Sequence, residues 1–354
     1  MNCWNGKVKT IREGRSPASR LLLCFLAGWL LFTACRSGEM ARGGNFGQHK
    51  PVPLQFDAGG KFRIAQFTDI HWTGSEPEQC AAAGKVIRHV LETERPHLAV
   101  LTGDIVIAPQ EAGWSAVMAL FAEAKVPVAV TLGNHDDEAE WTREEIFRYL
   151  SSYPGFLSGR GPASVSGVGN GILEVRPGAA LPSGLPAALL YFFDSHAYAA
   201  DTAVSYYAWI NFDQIAWYRE QSRFHTARNR GVPLPALAFF HIPLPEYAEV
   251  ALRNEKVGVA LEEVCAPKIN SGLLTSLVEM KEVMGTFAGH DHVNNFIGIH
   301  KGVALAYGQK TGFSSYGNLD KGARIIELQE GKRGFTSWIR TEKGVSGHFV
   351  FPAP

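Results

Sequence analysis

The sequence predicts an α/β fold, a largely parallel sheet whose strands end in chemically active residues. Two observations predict it. Short apolar runs at 62–67, 98–101, 126–132, 237–240 and 286–288 are bounded by turn residues, as buried strands are. Between the first two runs, Ala82, Val86, Val90 and Leu91 fall at helical spacing, and 114–124 repeats the pattern between the next two. Strand–helix alternation implies parallel strands with crossover helices, and such sheets bind ligands at the carboxyl ends of their strands.

The chain opens outside this fold. Residues 1–20 carry Lys7, Lys9, Arg12, Arg15 and Arg20 against Glu13 alone, and an apolar run at 21–32 leads to Thr33, Ala34 and Cys35. A basic start, a short apolar stretch and small residues read as a secretory signal, and the run is too short for a comfortable spanning helix. Cys35 after small residues resembles a bacterial lipobox, imperfect because Phe32 stands where Leu is preferred. The expectation is a signal segment over 1–35 with lipidation at Cys35, a Gly-rich and polar tether over 36–60, and one catalytic domain over 61–354. The protein is then an exported lipoprotein of a bacterium, held to a membrane in the periplasm or at the cell surface. Export would leave Cys80 and Cys265 either paired or as two separate buried thiols.

Composition removes several function classes. The 354 residues hold 34 Lys+Arg and 34 Asp+Glu, which argues against nucleic-acid binding through bulk charge. Apolar residues at 46% suffice for a large core, and 5 Cys are too few for a disulfide scaffold. No phosphate-binding Gly-rich loop opens a helix after a strand, and no Gly-x-Ser-x-Gly elbow supports a serine hydrolase.

Each apolar run closes on Asp, Asn or His. The first leads to Asp69 and His71, the second to Gly103 and Asp104, and the third to Gly133, Asn134, His135 and Asp136. The fourth leads to His241 and the fifth to Gly289, His290, Asp291 and His292. Any one cluster is ordinary, since Asp after a strand is usually a cap or turn residue and Gly serves positive φ. Their coincidence points to one metal site. Five of the 12 His fall in these clusters, and a His/Asp/Asn set without Cys suits Zn, Mn or Fe. A sixth run, 187–193, ends in Asp194, Ser195 and His196 but follows a Gly/Pro-rich segment, so it is expected in a second sheet and away from the ligands. Segment 209–217, with Asp213 as its cap, reads as an amphipathic helix whose aromatics belong to the core.

These blocks resemble the calcineurin-like metallophosphoesterase superfamily, which includes the purple acid phosphatases. The family order is Asp-x-His, Gly-Asp, Gly-Asn-His-Asp/Glu, a lone His and Gly-His-x-His, and all five occur between Asp69 and His292. The stretch from Phe239 to Tyr247, the stretch from Tyr307 to Gly312, and Gly322-Ala323-Arg324 resemble a subgroup related to purple acid phosphatases. The resemblance implies a four-layer α/β/β/α sandwich, two mixed sheets flanked by helices. It also implies two divalent metal ions (Mn, Fe, Zn or Mg), one on Asp69, His71, Asp104 and His292 and the other on Asp104, Asn134, His241 and His290, with Asp104 bridging.

Two such ions neutralise phosphate oxygens and acidify a bound water. By the same resemblance His135 contacts the phosphate and protonates the leaving oxygen; two adjacent cations would depress its pKa, and Asp136, as a neighbouring carboxylate, is expected to restore part of it. Asp136 and Asp291 also read as acceptors that orient imidazoles. Ile107 stands where purple enzymes carry a tyrosine ligand, so a colourless divalent centre is expected. The function expected is hydrolysis of phosphate esters, monoesters foremost. The alternatives are a phosphodiesterase acting on nucleotides or lipid head groups, and a surface-tethered binding protein without turnover. Substrate-selecting loops such as 151–171 have no position from sequence alone.

Overall fold

The structure, a computed structural model, describes residues 53–178 and 184–352. The signal-like segment, Cys35 and the tether as far as residue 52 lie outside the described residues.

Two sheets stand face to face. The first is ordered β15 (Gly344–Phe351), β14 (Phe335–Thr341), β13 (Gly322–Gln329), β1 (Lys61–Thr68), β3 (Leu98–Thr102) and β5 (Val128–Thr131), with β12 (Gln309–Lys310) beside the end of β1. The second is ordered β10 (Ile297–His300), β11 (Val303–Tyr307), β9 (Val283–Ala288), β8 (Ala236–Phe239), β7 (Ala188–Phe192) and β6 (Gly171–Val175). A two-stranded pair, β2 (Trp72–Thr73) and β4 (Val106–Ala108), caps the site end of the first sheet. The second sheet is parallel at its centre and antiparallel at both edges. The first is parallel from β1 to its β5 edge and antiparallel from β1 to β15, and crossover helices join most of the parallel pairs. Helices α1 (Pro77–Glu94) and α2 (Gln110–Ala124) join β1, β3 and β5 in turn, and α4 (Phe212–Arg228) joins β7 to β8. The shorter α3 (Arg143–Leu150), α5 (Tyr247–Ala251) and α6 (Leu273–Met280) complete the set.

Alternation along the strands divides the core into three apolar layers. Ala65, Phe67, Ala99 and Leu101 face α1 and α2, where they meet Ile87, Val90, Trp114 and Phe121. Their neighbours Phe62, Ile64, Leu98 and Val100 face the second sheet and meet Leu190, Phe192, Leu237 and Phe239. Leu189, Tyr191, Ala236 and Ala238 turn outward onto Ile215, Tyr218, Leu273 and Leu277 of α4 and α6. Because period-two alternation sends successive residues to opposite faces, this parity produces helix, sheet, sheet, helix, the four layers that were expected.

Several local expectations need correction. The tether as expected to residue 60 runs too far, because Leu54 and Phe56 are buried in the inter-sheet layer and Gln55 pairs with Arg176. The cap of α4 is Asn211, in a capping box with Gln214, whereas Asp213 instead accepts from the Ser166 backbone and hydroxyl. Segment 151–171 runs along the β5 edge, where Ser158 Oγ accepts from Val130 N at 2.8 Å. Cys80 is a buried free thiol donating to the Thr73 carbonyl, so it does not pair with Cys265.

Phe239 lies at the middle of the central layer, stacked on Phe192 and Phe287 with ring centroids 5.4 Å away on each side. Phe239→Ala is expected to destabilise the protein by about 3–5 kcal/mol through the cavity it leaves. Urea unfolding of the variant against the parent measures this. A loss below about 1 kcal/mol would mean that the layer recloses and is not close-packed.

Candidate metal centre

All five clusters meet at one edge, because β1, β3 and β5 of one sheet and β8 and β9 of the other end on the same side. The chain leaves these strands in left-handed turns, with φ of 53° at Asp69, 50° at His71, 53° at Asp104 and 82° at His290. Left-handed backbone is costly outside Gly and persists where surrounding structure over-determines it, as functional sites do. The glycines serve two different needs here. Gly103, at φ 84°, supplies the turn, whereas a Cβ on Gly289 would collide with Thr68 Oγ1.

The side chains converge as two groups. Asp69, His71 and His292 form one, and Asp104, His241 and His290 the other, each with ligand atoms lying within 4.8 Å of one another and every residue buried. Asp69 Oδ1 is 3.5 Å from His292 Nε2, and His71 Nε2 is 3.1 Å from His292 Nε2. Asp104 Oδ2 stands 3.3 Å from His241 Nε2 and 3.7 Å from His71 Nε2, so one carboxylate oxygen faces both groups. The imidazoles are aimed from behind by backbone. His241 Nδ1 donates to the Thr102 carbonyl at 2.7 Å, and His292 Nδ1 donates to the Tyr316 carbonyl at 3.0 Å. A carbonyl only accepts, so each Nδ1 carries a proton and each Nε2 faces inward, with His241 Nε2 carrying a second proton towards Asp104 while no cation is bound. Asn134 Nδ2 donates to Tyr198 Oη at 3.2 Å, which leaves its Oδ1 inward and without a partner, and His290 Nε2 is likewise buried without one.

Charges follow from this packing. Burial raises Asp69 and Asp104, yet the hydrogen bond and charge of His292 on the first, and the charge and hydrogen bond of His241 on the second, hold both below the usual carboxylate range. Burial and the His241 charge push His290 down to about 3.

His135 sits at the mouth, its backbone N–H donating to Asp104 Oδ1 at 2.9 Å. Its Nδ1 is 2.7 Å from Glu138 Oε2, and Glu138 Oε1 accepts from Tyr198 Oη at 2.7 Å. Burial opposes the imidazolium, but the Glu138 hydrogen bond and the charges of Asp104 and Glu138 raise it to about 9. Glu138 thus takes the place expected for Asp136. Asp136 is fully buried and spends both oxygens on backbone, accepting from Asp104 and Gly133 N at 2.9 and 2.7 Å and from Ile105 and Val106 N at 2.8 and 3.0 Å. It pins the β3 turn to the β5 turn and touches neither substrate space nor an imidazole. Asp291 also orients no imidazole, since it accepts from Tyr307 Oη, Asn294 Nδ2 and Cys265 N. Asp194 binds Arg143 at 3.0 Å, and Arg143 continues to the Gly133 carbonyl at 2.6 Å, so the sixth run clamps the site instead of ligating in it.

Sequence reasoning passed over the partners that come from loops. Tyr207 packs edge-on against His290 at 4.4 Å, and Tyr316 stacks on His292 at 4.1 Å. Neither they nor Tyr198 sit in a motif, and only contact in space brings them to the ligands. Glu138, three residues after His135, was within reach of an i,i+3 reading.

Comparison with known proteins bears on the fold and the family. The model of the calcineurin-like phosphoesterase family matches residues 62–294. Among relatives, a protein named probable inactive purple acid phosphatase 14 of Arabidopsis thaliana is 31% identical, covering 80% of this chain and 79% of that one. Phosphatase DCR2 of Saccharomyces cerevisiae is 30% identical over 81% of this chain and 55% of its own length. Among solved structures, a dimetal phosphatase from Danio rerio superposes with a TM-score of 0.57 at 14% identity, over 82% of this chain and 98% of that one. A purple acid phosphatase from yellow lupin (Lupinus luteus) superposes at 0.50 with 12% identity, over 85% of this chain and 55% of that one. The chain belongs to the calcineurin-like phosphoesterase family.

Proposed function

We propose that the protein is an exported phosphomonoesterase that works with two divalent cations. One observation carries the two-ion reading: Asp104 Oδ2 faces His71 of one group and His241 of the other. Buried lone pairs turned towards one another repel, and buried polar atoms without partners are costly, so Asn134 Oδ1, and His290 Nδ1 at 3.3 Å from His241 Nε2, ask for a cation between them and their neighbours. The residues fit the group. Asp69, His71 and His292 would hold one ion and Asp104, His241 and His290 the other, with Asp104 shared between them and Asn134 Oδ1 added to the second. When bound, two such ions neutralise phosphate oxygens and lower the pKa of a water.

The chain's own residues do the rest. His135 stands at the mouth beside the bridging carboxylate, and Glu138 fixes its ring through Nδ1, so Nε2 presents a proton to a leaving oxygen. Tyr198 fixes Glu138 and the Asn134 amide together. The full donor set and this supported His favour turnover over a binding-only role. Export, lipidation at Cys35 and a periplasmic or surface location rest on the basic and apolar segments that precede the domain.

A panel of aryl phosphate monoesters and diesters on the metal-loaded protein tests the activity. His135→Ala is expected to lower kcat on poor leaving groups by roughly 10²–10⁴ with metal content unchanged, and less on very good ones. Equal loss across leaving groups would assign His135 to phosphate positioning alone.

Without metal, a proton takes the cation's place. Burial lowers His241 from 6.5, but the charge and hydrogen bond of Asp104, the charge of Asp69 and the Thr102 carbonyl raise it to about 9. A raised pKa stabilises the fold below the unfolded value and loses that contribution as pH climbs through the folded one. The Tm of chelator-treated protein should therefore fall between pH 6.5 and 9, and added Mn or Zn should flatten the fall. Parallel pH profiles with and without metal would contradict the assignment of His241.

A further inference from the structure

Lys310 lies in the stretch from Tyr307 to Gly312 that carries part of the family resemblance, yet it has no place among the ligands. Parallel pairing of β12 with β1 sets Lys310 opposite Thr68, at the strand end where Asp69 begins the site. Its Nζ donates to the Asp69 carbonyl at 3.1 Å, and the residue is 2% exposed. The stem passes beside His292, since a Cβ on Gly317 would lie 3.1 Å from His292 Cβ and 3.5 Å from Lys310 Cδ. Among the described residues, that carbonyl is its one hydrogen-bond acceptor, and no carboxylate forms an ion pair with it.

Lysine is almost never buried so completely unless it is paired. One neutral carbonyl does not offset the desolvation of an ammonium, and a neutral amide side chain would hold that carbonyl without the cost. Burial outweighs the charges of Asp69 and Asp104 that face this ammonium, and two further cations beside it would add repulsion until an anion arrives. Two of the three N–H bonds of its ammonium remain to meet one.

On the phosphoesterase reading above, we propose that Lys310 is a specificity residue of the site, a fixed positive charge that favours phosphomonoester dianions over phosphodiester monoanions. At a given distance a fixed charge attracts a dianion twice as strongly as a monoanion. Its removal should therefore cost the monoester about twice the logarithmic loss of the diester.

The test compares 4-nitrophenyl phosphate with methyl 4-nitrophenyl phosphate, which share a leaving group. In Lys310→Met, kcat/KM should fall about 100-fold on the monoester and about 10-fold on the diester, the scale of hydrogen bonds to charged groups. Elemental analysis should show unchanged metal, and Lys310→Arg should keep the selectivity. Equal losses on both esters, or losses that track metal content, would overturn the proposal and leave Lys310 as a support for Asp69. A second measurement needs no variant to fold. Calorimetry on the metal-loaded parent should show phenylphosphonate binding at least about tenfold tighter than its monomethyl ester, and equal affinity would overturn the proposal. If the parent hydrolyses neither ester yet keeps this binding preference, the phosphoesterase reading fails while the anion selectivity stands.

Discussion

A single buried oxygen, Asp104 Oδ2, lies between imidazoles of two different groups, and the surrounding structure is organised to keep it there. Asp104 Oδ1 is occupied by the His135 backbone, and the Asp104 backbone N–H is held by Asp136. Asp136 accepts four backbone N–H groups from two turns, so its charge is spread over fixed donors and the β3 and β5 ends move as one body. Arg143 extends the clamp from the Gly133 carbonyl to Asp194, at the end of β7 in the second sheet. Positive φ at Asp104 is sustained by these ties, and backbone bonds from Asp69 to Gly103, from His71 to Asp104, and from His290 N to the Asp69 carboxylate hold the other turns.

The sandwich explains how residues more than 220 positions apart can be held so closely. His241 and His290 ride on the second sheet, while Asp69 and Asp104 ride on the first. The two sheets are joined beneath the site by an apolar layer that includes Phe192, Phe239 and Phe287. At the site itself the Thr102 carbonyl accepts from both Thr68 Oγ1 and His241 Nδ1, which links the sheets by hydrogen bonds where apolar packing stops. A close-packed layer below and a polar lock above leave little freedom for the ligand atoms to drift.

Strand runs, crossover helices and the donor clusters were legible in sequence because each is local: a period, a turn residue and a His or Asp beside it. The ligand sets and the four layers came through resemblance. What escaped was tertiary. Asp136 and Glu138 lie in the same turn, and only the backbone path decides which carboxylate faces inward to amides and which reaches the His135 ring. Tyr198, Tyr207 and Tyr316 come from loops with no periodic signal, and Lys310 shows its position only when β12 pairs with β1. The start of the domain was set too late because Leu54 and Phe56 are two apolar residues in a polar, Gly-rich context, and their burial depends on the inter-sheet gap.

Elemental analysis of the purified domain, residues 36–354, alongside its Asp104→Asn variant bears most directly on the shared-carboxylate centre. Two divalent ions per chain are predicted for the parent, and a loss of both is predicted for the variant, because the substitution removes the one negative charge that both groups face. One ion per chain in the parent, or an unchanged count in the variant, would contradict a centre built on Asp104.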